Sequence, residues 1–382
     1  MARILFFTPV VPGVTGQGMI MRAGIALQLL SEMHQVTVVH VGLCSGYPEI
    51  VEETWVRNYA CAYHFVPVPV AAGAAQELVS RHLSRTEIEG VYVFRQASAP
   101  LALQTMGLLA NSKMPSVLDL DDDECTRTEM LIPLREAAGD FARANRERTE
   151  LGRQRRFQRM ILSRFQTCFL ASSEDRDSLS AQYPDVKFAW LPNAIRLPAE
   201  TPGLHGGPRG NLLFLGKLDY LPNEDAVLYF CNRILPLLIT SGRPVSLRVA
   251  GMDAPDSIRK LSALPGVTVV GAVKDVVPEY ERAGIAVAPL RAGSGTRIKI
   301  LEAFSYGVPV VSTSMGAAGL DVTHEVHLLI ADTPEEFAAA CLRLIEDDRL
   351  AERLSRNALK WVRETHSLDR VRAILHGIFS AQ

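Results

Sequence analysis

A glycine-rich turn, two basic side chains and one carboxylate lie close together in the sequence. The turn is formed by residues 293–296 (Gly-Ser-Gly-Thr), and Arg297, Lys299 and Glu302 follow it. Its two glycines can adopt backbone angles that other residues avoid, so its N–H groups can converge on phosphate oxygens at the start of a helix. The carboxylate of Glu302 can accept hydrogen bonds from a vicinal diol such as a ribose. These residues predict a site for an anionic, sugar-bearing ligand; the alternative is a solvent-exposed turn with an ordinary glutamate.

The segment 289–312 resembles the signature of the family 4 glycosyltransferases, which are retaining enzymes of the GT-B fold. In that signature two glutamates are separated by seven residues, and the run Ala-x-x-x-Gly-x-Pro-Val-Val follows. Glu302 matches the second glutamate and residues 303–311 match the run, whereas Ser294 stands in place of the first glutamate. The first glutamate holds hydroxyls of the transferred sugar in that family, so the sequence leaves the identity of this sugar open.

The resemblance extends to residues 211–225, where an apolar strand ends in Gly216-Lys217. In the family a basic residue after this glycine contacts the donor diphosphate, which implies that role for Lys217. Lys274 lies in a segment similar to the loop that lines the nucleobase. Gly16 and Gly18 belong to a loop that approaches the donor phosphates in the family, with plain loop flexibility as the alternative. The implied donor site therefore comprises Gly16, Gly18, Gly216, Lys217, Lys274, Ser294, Gly295, Thr296, Arg297, Lys299 and Glu302.

Acidic residues cluster at positions 119–124 (Asp-Leu-Asp-Asp-Asp-Glu). Several carboxylates together invite a metal site, because hard cations prefer oxygen ligands. The resemblance implies otherwise: Asp121 replaces a family histidine that lies near the transferred sugar, and Asp122 keeps the aspartate beside it. It implies a site without metal, in which Asp121 or Asp122 faces the sugar or an acceptor hydroxyl and acts with Lys217 as the catalytic set. For Asp123 and Glu124 an acidic helix cap is an equal alternative.

The arginine-rich segment 141–164 predicts a basic amphipathic helix. Such a helix can lie on an anionic membrane, which would suit a lipid-linked acceptor. The alternative is a solvated helix face with internal Glu–Arg pairs, for which Glu147 and Glu150 are available.

Composition places the chain among ordinary globular proteins. Its 382 residues are 48% hydrophobic and 21% charged with a net charge of −2, which disfavours a disordered or nucleic-acid-binding protein. No apolar run is long enough for a membrane span, and the first residues are too short and strand-like for a signal peptide, so we expect a cytoplasmic protein, with the inner membrane surface as the place of any peripheral contact. The six cysteines show no paired spacing and are expected to be reduced thiols, and His324 and His327 are expected to be structural or exposed.

Short apolar runs alternate with amphipathic stretches along the whole chain, which is typical of doubly wound α/β domains. The predicted strands are 3–10, 35–41, 90–95, 115–120, 166–172, 212–215, 246–250, 267–270, 285–288 and 308–312, with a last short one near Ala331. A Gly/Pro-rich linker begins after Pro198. We therefore expect the GT-B fold: Rossmann-like domains at 1–197 (acceptor side) and 198–365 (donor side) facing across a cleft, and a C-terminal helix, about 366–382, crossing back to the first domain.

The resemblance implies a retaining glycosyltransferase that moves a sugar from a nucleotide-diphosphate-sugar donor to a glycan, lipid-linked or small-molecule acceptor, with no separate cofactor. Basic side chains and helix N-terminal amides would stabilise the leaving diphosphate. Three alternatives remain open. They are a nucleotide-sugar epimerase of the same fold, a non-catalytic nucleotide-sugar-binding partner of another transferase, and a nicotinamide-dependent oxidoreductase, which the missing G-x-G-x-x-G spacing disfavours.

Overall fold

The computed structural model describes residues 2–14, 18–42, 55–83, 88–109, 113–198 and 207–379. The chain divides into two compact units. The first unit comprises Met1–Glu124, Gly152–Ala194 and Leu368–Gln382, and the second comprises Cys125–Leu151 and Ile195–Ser367. Residues 125–151, which lie within the range expected for the first domain, are thus grouped with the second unit.

A parallel sheet of seven strands forms the centre of the first unit. The strands are β1 Arg3–Thr8, β2 Gln35–Gly42, β3 Ala60–Pro67, β4 Gly90–Phe94, β5 Ser116–Asp121, β6 Thr167–Leu170 and β7 Phe188–Trp190, in the spatial order β3-β2-β1-β4-β5-β6-β7. A parallel sheet buried on both faces needs apolar side chains on both sides of each central strand. In β1, Leu5 and Phe7 pack into the core on one face, while Ile4 and Phe6 pack into the core on the other.

The second unit repeats this plan with six parallel strands. They are β8 Asn211–Leu215, β9 Ser246–Ala250, β10 Val267–Gly271, β11 Ile285–Ala288, β12 Val310–Ser312 and β13 Leu329–Ile330, in the order β10-β9-β8-β11-β12-β13. The strand order reverses at β1/β4 in the first unit and at β8/β11 in the second. Open α/β sheets bind ligands at the carboxyl ends of the strands beside such a reversal. Each unit therefore has one such position.

Fifteen α-helices are present in the described residues. They are α1 Gly18–Ser31, α2 Ala74–His82, α3 Ala99–Met106, α4 Glu124–Ala137, α5 Phe141–Leu162, α6 Ser173–Gln182, α7 Leu221–Tyr229, α8 Leu235–Thr240, α9 Asp256–Arg259, α10 Val277–Arg282, α11 Ile298–Ser305, α12 Ser314–Ala317, α13 Pro334–Glu346, α14 Asp348–Thr365 and α15 Leu368–Phe379. None of these helices combines the length and apolar character that crossing a membrane requires.

All eleven predicted strands are confirmed, with ends shifted by a few residues. Two strands were not predicted, β3 and β7, and both lie at an edge of the first sheet. Their residues are mostly half-buried, and β3 (ACAYHFVP) carries His64 and ends in a proline. An edge strand is exposed to solvent on one side. It therefore does not need the continuous apolar run by which the central strands were recognised.

The C-terminal helix α15 belongs to the first unit, as predicted. Val371, Leu375 and Phe379 are buried in the same core as Phe6, and Arg372 pairs with Glu32 at 2.7 Å. The helix α14 before it ends at Thr365, directly before the range predicted for the C-terminal helix.

Candidate functional site

The glycine-rich turn lies between β11 and α11, beside the strand reversal of the second unit. Gly293 and Gly295 have φ values of 126° and 70°, which favour glycine over residues with a Cβ. Arg297 is buried, and its guanidinium donates to the carbonyls of Gly293 (2.7 Å), Gly295 (3.0 Å), Ser294 and Met315 (3.3 Å). Arg297 therefore braces the turn from within, a role that the sequence did not indicate. Thr296 completes the turn and is half-buried.

Lys299 lies in the first turn of α11, where it is partly withdrawn from solvent. Its Nζ donates to Asn223 Oδ1 at 2.7 Å and lies 3.9 Å from the centre of the Phe214 ring. Burial and the nearby Arg297 lower the pKa of Lys299 to about 7, against the opposing pull of Glu302. No carboxylate of the described residues lies within ion-pair distance of this ammonium group. Its charge is thus incompletely compensated, which makes it responsive to an incoming anion.

Glu302 lies one turn further along α11. Tyr280 donates its hydroxyl to Glu302 Oε2 at 3.2 Å and stacks on Tyr306, with ring centres 4.6 Å apart. Burial raises the pKa of Glu302 to about 7, although the hydrogen bond from Tyr280 and the charge of Lys299 both lower it. Ligand-binding sites are where such shifts concentrate. A carboxylate with one oxygen engaged by Tyr280 retains capacity to accept a hydroxyl from a ligand.

The loop after β8 carries Gly216 and Lys217. Asn223 connects this loop to Lys299, because its Nδ2 donates to the Lys217 carbonyl at 2.8 Å while its Oδ1 accepts from Lys299. The Lys217 ammonium lies 3.1 Å from Asp219 and 3.7 Å from Asp253, and all three side chains reach solvent. A Cβ on Gly216 would lie 2.9 Å from Asn223 Nδ2 and 3.1 Å from Lys299 Nζ. Glycine at this position therefore allows the loop to approach the Lys299 side chain.

The remaining donor-side candidates differ in how closely they are integrated. Lys274 is exposed in the loop between β10 and α10, and it makes no hydrogen bond or ion pair with the part of the chain that the structure describes. Gly18 is the first residue of α1 in the first unit. Gly16 lies outside the described residues. The structure thus brings Gly216, Lys217, Lys299, Glu302 and the turn 293–297 together, and it leaves Lys274 apart from their hydrogen bonds.

A dense network of arginines and carboxylates occupies the strand reversal of the first unit. Arg22, on α1, and Asp119, inside β5, form a buried ion pair with Nε at 2.9 Å and Nη2 at 2.8 Å from the carboxylate. Arg22 also donates to Asn193 Oδ1 at 2.9 Å and to the Leu191 carbonyl at 3.0 Å, and Tyr92 donates its hydroxyl to Asp119. Asp119 is therefore fully engaged.

Arg95 follows β4 directly and forms the second half of this network. Its Nη1 donates to Asp122 and to the Leu120 carbonyl (2.6 Å), and its Nη2 lies 3.1 Å from Glu124. Asp122 is buried by these contacts, and Asp123 accepts from Gln158 at 3.1 Å. The acidic residues 122–124 are thus held by protein groups. No cluster of three or more metal-ligating side chains arranged for an ion occurs in the described ranges.

Asp121 differs from its neighbours. Its carboxylate lies 3.7 Å from Arg22 Nε and 3.6 Å from Arg95 Nη1, beyond hydrogen-bond distance, and its side chain is 17% exposed. Burial raises the pKa of Asp121, against the opposing effect of the two arginines, and Asp122 and Asp119 raise it further. Asp121 and Arg95 both have positive φ, 66° and 62°. Such conformations cost about 1–3 kcal/mol each and concentrate at functional sites.

Several of these residues were given no role in the site by the sequence. Arg22 stands alone among apolar residues in α1, and Asp119 interrupts an apolar strand. A charged side chain inside a buried element requires a partner of opposite charge, so the sequence could have indicated that Arg22 and Asp119 each need one. Asn223, Tyr280 and Arg95 carried none, because their sequence neighbourhoods are ordinary for a loop or helix.

His324 and His327 have structural roles, as predicted. His324 Nδ1 accepts from the Ile330 N–H at 2.8 Å, and His327 Nδ1 accepts from the Thr323 N–H at 3.0 Å.

Comparison with known proteins relates this geometry to a family. Residues 209–347 match the model of the family "Glycosyl transferases group 1", a range that contains the turn 293–297 and Gly216, Lys217, Lys299 and Glu302. An uncharacterised 44.6 kDa protein in the cps region of Klebsiella pneumoniae is 24% identical over 226 residues, which cover 55% of each chain. The match thus spans about half the length of that relative.

Solved structures resemble the chain over its whole length. Anabaena Alr3699/HepE in complex with UDP and glucose superposes with a TM-score of 0.69 at 12% identity, covering 100% of both chains. Sucrose-phosphate synthase (tll1590) from Thermosynechococcus elongatus gives 0.74 at 12% identity, covering 100% of this chain and 98% of that one. TarM gives 0.71 at 9% identity, with 100% and 99% covered. The chain has the GT-B fold. The two Rossmann-like α/β domains expected from the sequence are therefore confirmed.

Proposed function

We propose that this protein is a retaining glycosyltransferase that moves a sugar from a nucleotide-diphosphate-sugar donor to a glycan, lipid-linked or small-molecule acceptor. The observation that carries the proposal is the pairing of Lys299 and Glu302 on α11 beside a glycine-rich turn, in the segment that matches the group 1 glycosyl transferases. One residue offers a partly desolvated cation and the other a partly desolvated carboxylate. A nucleotide sugar supplies the matching groups, a diphosphate and a ribose diol.

Each donor-side residue has a role that follows from its surroundings. Lys217 and Lys299 bind the diphosphate, whose negative charge grows as the glycosidic bond breaks, so their stabilisation is strongest in the transition state. Arg297 keeps the turn 293–296 in place beside them. Glu302 accepts the ribose hydroxyls. The structure of Anabaena Alr3699/HepE with UDP and glucose supports a donor of this class.

Retention of configuration is part of the proposal. It rests on the resemblance to family 4 enzymes and on front-face attack by the acceptor, assisted by the leaving phosphate. The donor is a substrate, and the proposal invokes no separate cofactor or metal. NMR assignment of the anomeric configuration of the product tests this point, since an inverted product would contradict it.

The binding claim is tested by calorimetric titration with UDP, ADP and GDP and with UDP-glucose, ADP-glucose and GDP-mannose. Wild type is expected to bind one nucleotide series at micromolar Kd, and Glu302→Gln is expected to weaken it about tenfold or more, as loss of a hydrogen bond to a charged group does. Glu364→Gln is the matched control, because Glu364 is an exposed glutamate on α14 of the same unit. The absence of binding by every nucleotide would remove the proposal.

A non-catalytic role is the second candidate, and Ser294 is the observation that favours it. Serine occupies the position at which the resembling family has the glutamate that holds the transferred sugar. A nucleotide-sugar-binding partner of another transferase would bind the donor without releasing free nucleotide. A hydrolysis assay on the donor identified by titration therefore separates the two candidates.

We also propose that the transferase contacts a membrane peripherally through helix α5. Helix α5 exposes arginines at positions 143, 146, 148, 153, 155, 156 and 159. Phe141 and Met160 are 61% and 63% exposed on the same helix, which is unusual for large apolar side chains. Ion pairs such as Arg148–Glu136 and Arg143–Glu147 neutralise part of this charge. Exposed arginines with apolar side chains fit the interface of an anionic membrane.

We place this contact at the cytoplasmic side of a membrane. Cys168, Cys231 and Cys341 are buried free thiols, which agrees with a reducing compartment. Cosedimentation with phosphatidylcholine vesicles, with and without phosphatidylglycerol, tests the contact. Binding to the anionic vesicles alone, lost in Arg146→Glu/Arg156→Glu but kept in the control Arg363→Glu, is expected. Equal recovery with both vesicle types would contradict it.

A further inference from the structure

The arginine–carboxylate network of the first unit leaves one acceptor open. Asp119 is occupied by Arg22 and Tyr92, while Asp122 and Glu124 are occupied by Arg95, with a further contact from Gln96 to Glu124. The carboxylate of Asp121 accepts no hydrogen bond from any of the described residues, and the two guanidinium groups flank it at 3.6 and 3.7 Å. A carboxyl group that two guanidinium groups flank without hydrogen-bonding to it keeps its acceptor sites for a ligand.

The backbone also fixes the position of Asp121. Arg95 and Asp121 stand at the ends of neighbouring strands with φ values of 62° and 66°. The Arg95 N–H donates to the Asp119 carbonyl at 2.8 Å, the Asp121 N–H donates to Asp119 Oδ1 at 3.1 Å, and the Asp121 carbonyl accepts from the Ala171 N–H at 2.8 Å. Two adjacent strained residues persist only where their surroundings over-determine them. The backbone of Asp121 is therefore fixed, and its carboxylate projects from it between the two guanidinium groups.

We propose that Arg95 is a positioning residue, which holds Asp121 in place as the acceptor of a hydrogen bond from a sugar hydroxyl of the substrate. This inference rests on the proposed function. Arg95 acts through Asp121 and makes no contact with substrate itself. Arg22 contributes the second flanking charge, but its hydrogen bonds to Asp119, Asn193 and Leu191 tie it to the interior of the unit.

The test compares ligands with and without the sugar. Calorimetry gives the Kd of the nucleoside diphosphate and of its nucleotide sugar, chosen from the UDP, ADP and GDP series, and a nucleotide-release assay gives donor hydrolysis. Asp121→Asn is expected to leave the nucleoside diphosphate Kd unchanged and to lower donor hydrolysis about 10- to 100-fold, the effect of a misplaced or missing positioning contact. Arg95→Gln should match it, and Arg95→Lys, which keeps a cation, should restore part of the rate.

A double variant separates positioning from mere structure. If Arg95 acts through Asp121, then Arg95→Gln/Asp121→Asn loses no more hydrolysis than Asp121→Asn alone, because coupled residues are not additive. A structural role alone would give additive losses and would also weaken nucleoside diphosphate binding. Should Arg95→Gln fail to fold, as judged by circular dichroism, Asp121→Asn and Arg95→Lys carry the test.

Each outcome points to one claim. Hydrolysis and transfer by Asp121→Asn both at the wild-type rate would overturn this inference while leaving the proposed function intact. If wild type binds no nucleotide at all, the proposed function fails and this inference fails with it. Loss confined to transfer onto an added acceptor, with hydrolysis unchanged, would assign the hydroxyl to the acceptor and exclude the donor sugar.

Discussion

The two sheets arrange charge differently at equivalent places. At the strand reversal of the second unit, Lys299 and Glu302 are partly buried without a full ionic partner, and both have a pKa displaced to about 7. At the reversal of the first unit, Arg22 and Arg95 are almost fully buried but are matched by carboxylates, and among the carboxylates described there Asp121 alone accepts no hydrogen bond. Incomplete pairing prepares a surface for a charged ligand, whereas complete pairing builds a rigid support. We therefore expect substitutions at the strand reversal of the second unit to change ligand affinity. Substitutions at the strand reversal of the first unit are expected to change the free energy of unfolding.

The largest effect is expected on stability. Arg22→Met leaves Asp119 charged and buried without its cation, and breaking a buried pair in this way costs about 3–5 kcal/mol. The half-exposed pair Arg372–Glu32 in the same unit is the control, and Arg372→Met should cost no more than about 1 kcal/mol. Urea unfolding followed by circular dichroism measures both. Equal midpoints for the two variants would show that the first network is not a structural support.

Nucleotide affinity is expected to respond to the second position. Lys299→Met removes the partly desolvated cation and should weaken nucleoside diphosphate binding about 10- to 100-fold, the range for a hydrogen bond to a charged group. Lys360→Met, an exposed lysine on α14, should change it less than twofold. Calorimetric titration with the nucleotide identified for wild type measures the difference. Equal affinity of the two lysine variants for the nucleotide would contradict the role expected for Lys299.

The two displaced pKa values predict a maximum in donor affinity near pH 7. Below about pH 7 Glu302 becomes protonated and stops accepting two ribose hydroxyls, and above about pH 7 Lys299 loses the charge that binds the diphosphate. Affinity should fall by up to about tenfold per pH unit on either side. A nucleotide sugar is the suitable probe, because it lacks the monoester phosphate that titrates near pH 6.

Two variants assign the sides of this pH profile. Glu302→Gln should flatten the acid side alone, and Lys299→Arg, which stays protonated, should flatten the alkaline side alone. The donor affinity of wild type is measured at about three pH values between 5.5 and 8.5. An affinity that does not change over this range would contradict the assignment.

The smallest effect is expected at Lys217. Asp219 and Asp253 already lie near its ammonium group and compete with a diphosphate for it. Because exposed pairs contribute about 0.2–1 kcal/mol, Asp253→Asn should tighten nucleoside diphosphate binding by no more than about fivefold. Raising the salt concentration should reduce the gain, which a titration at two ionic strengths measures. Weaker binding in Asp253→Asn would mean that the aspartate supports the loop instead of opposing the ligand.

The sequence predicts the fold, and it predicts the residues at the strand reversal of the second unit better than those at the strand reversal of the first. Central strands need continuous apolar runs, so β1, β4 and β11 were visible, and the spacing of Ser294, Glu302 and Pro309 follows a recognisable signature. The Arg22–Asp119 pair and the contact of Arg95 with Asp122 join residues 97 and 27 positions apart. Only tertiary packing brings such groups together, so local pattern could indicate that each charge needed a partner but not which partner it has.

Arg297 illustrates a different limit. Its place after a glycine-rich turn suggested a charge directed at phosphate, yet its guanidinium bonds to carbonyls of the turn itself. Residue type and spacing are the same for both roles, and only the direction of the side chain distinguishes them.

The return of α15 has a consequence for the order of events at the ribosome. Val371, Leu375 and Phe379 fill the core beneath β1 and β4, where Gly90 leaves room for the Phe379 ring, since a Cβ there would lie 2.8 Å from it. Domains generally fold as units during synthesis, beginning from the amino terminus. Here part of the core of the first unit is supplied by α15. A nascent chain that has not yet reached Leu368 therefore contains all residues of its second unit while its first unit still lacks part of its core.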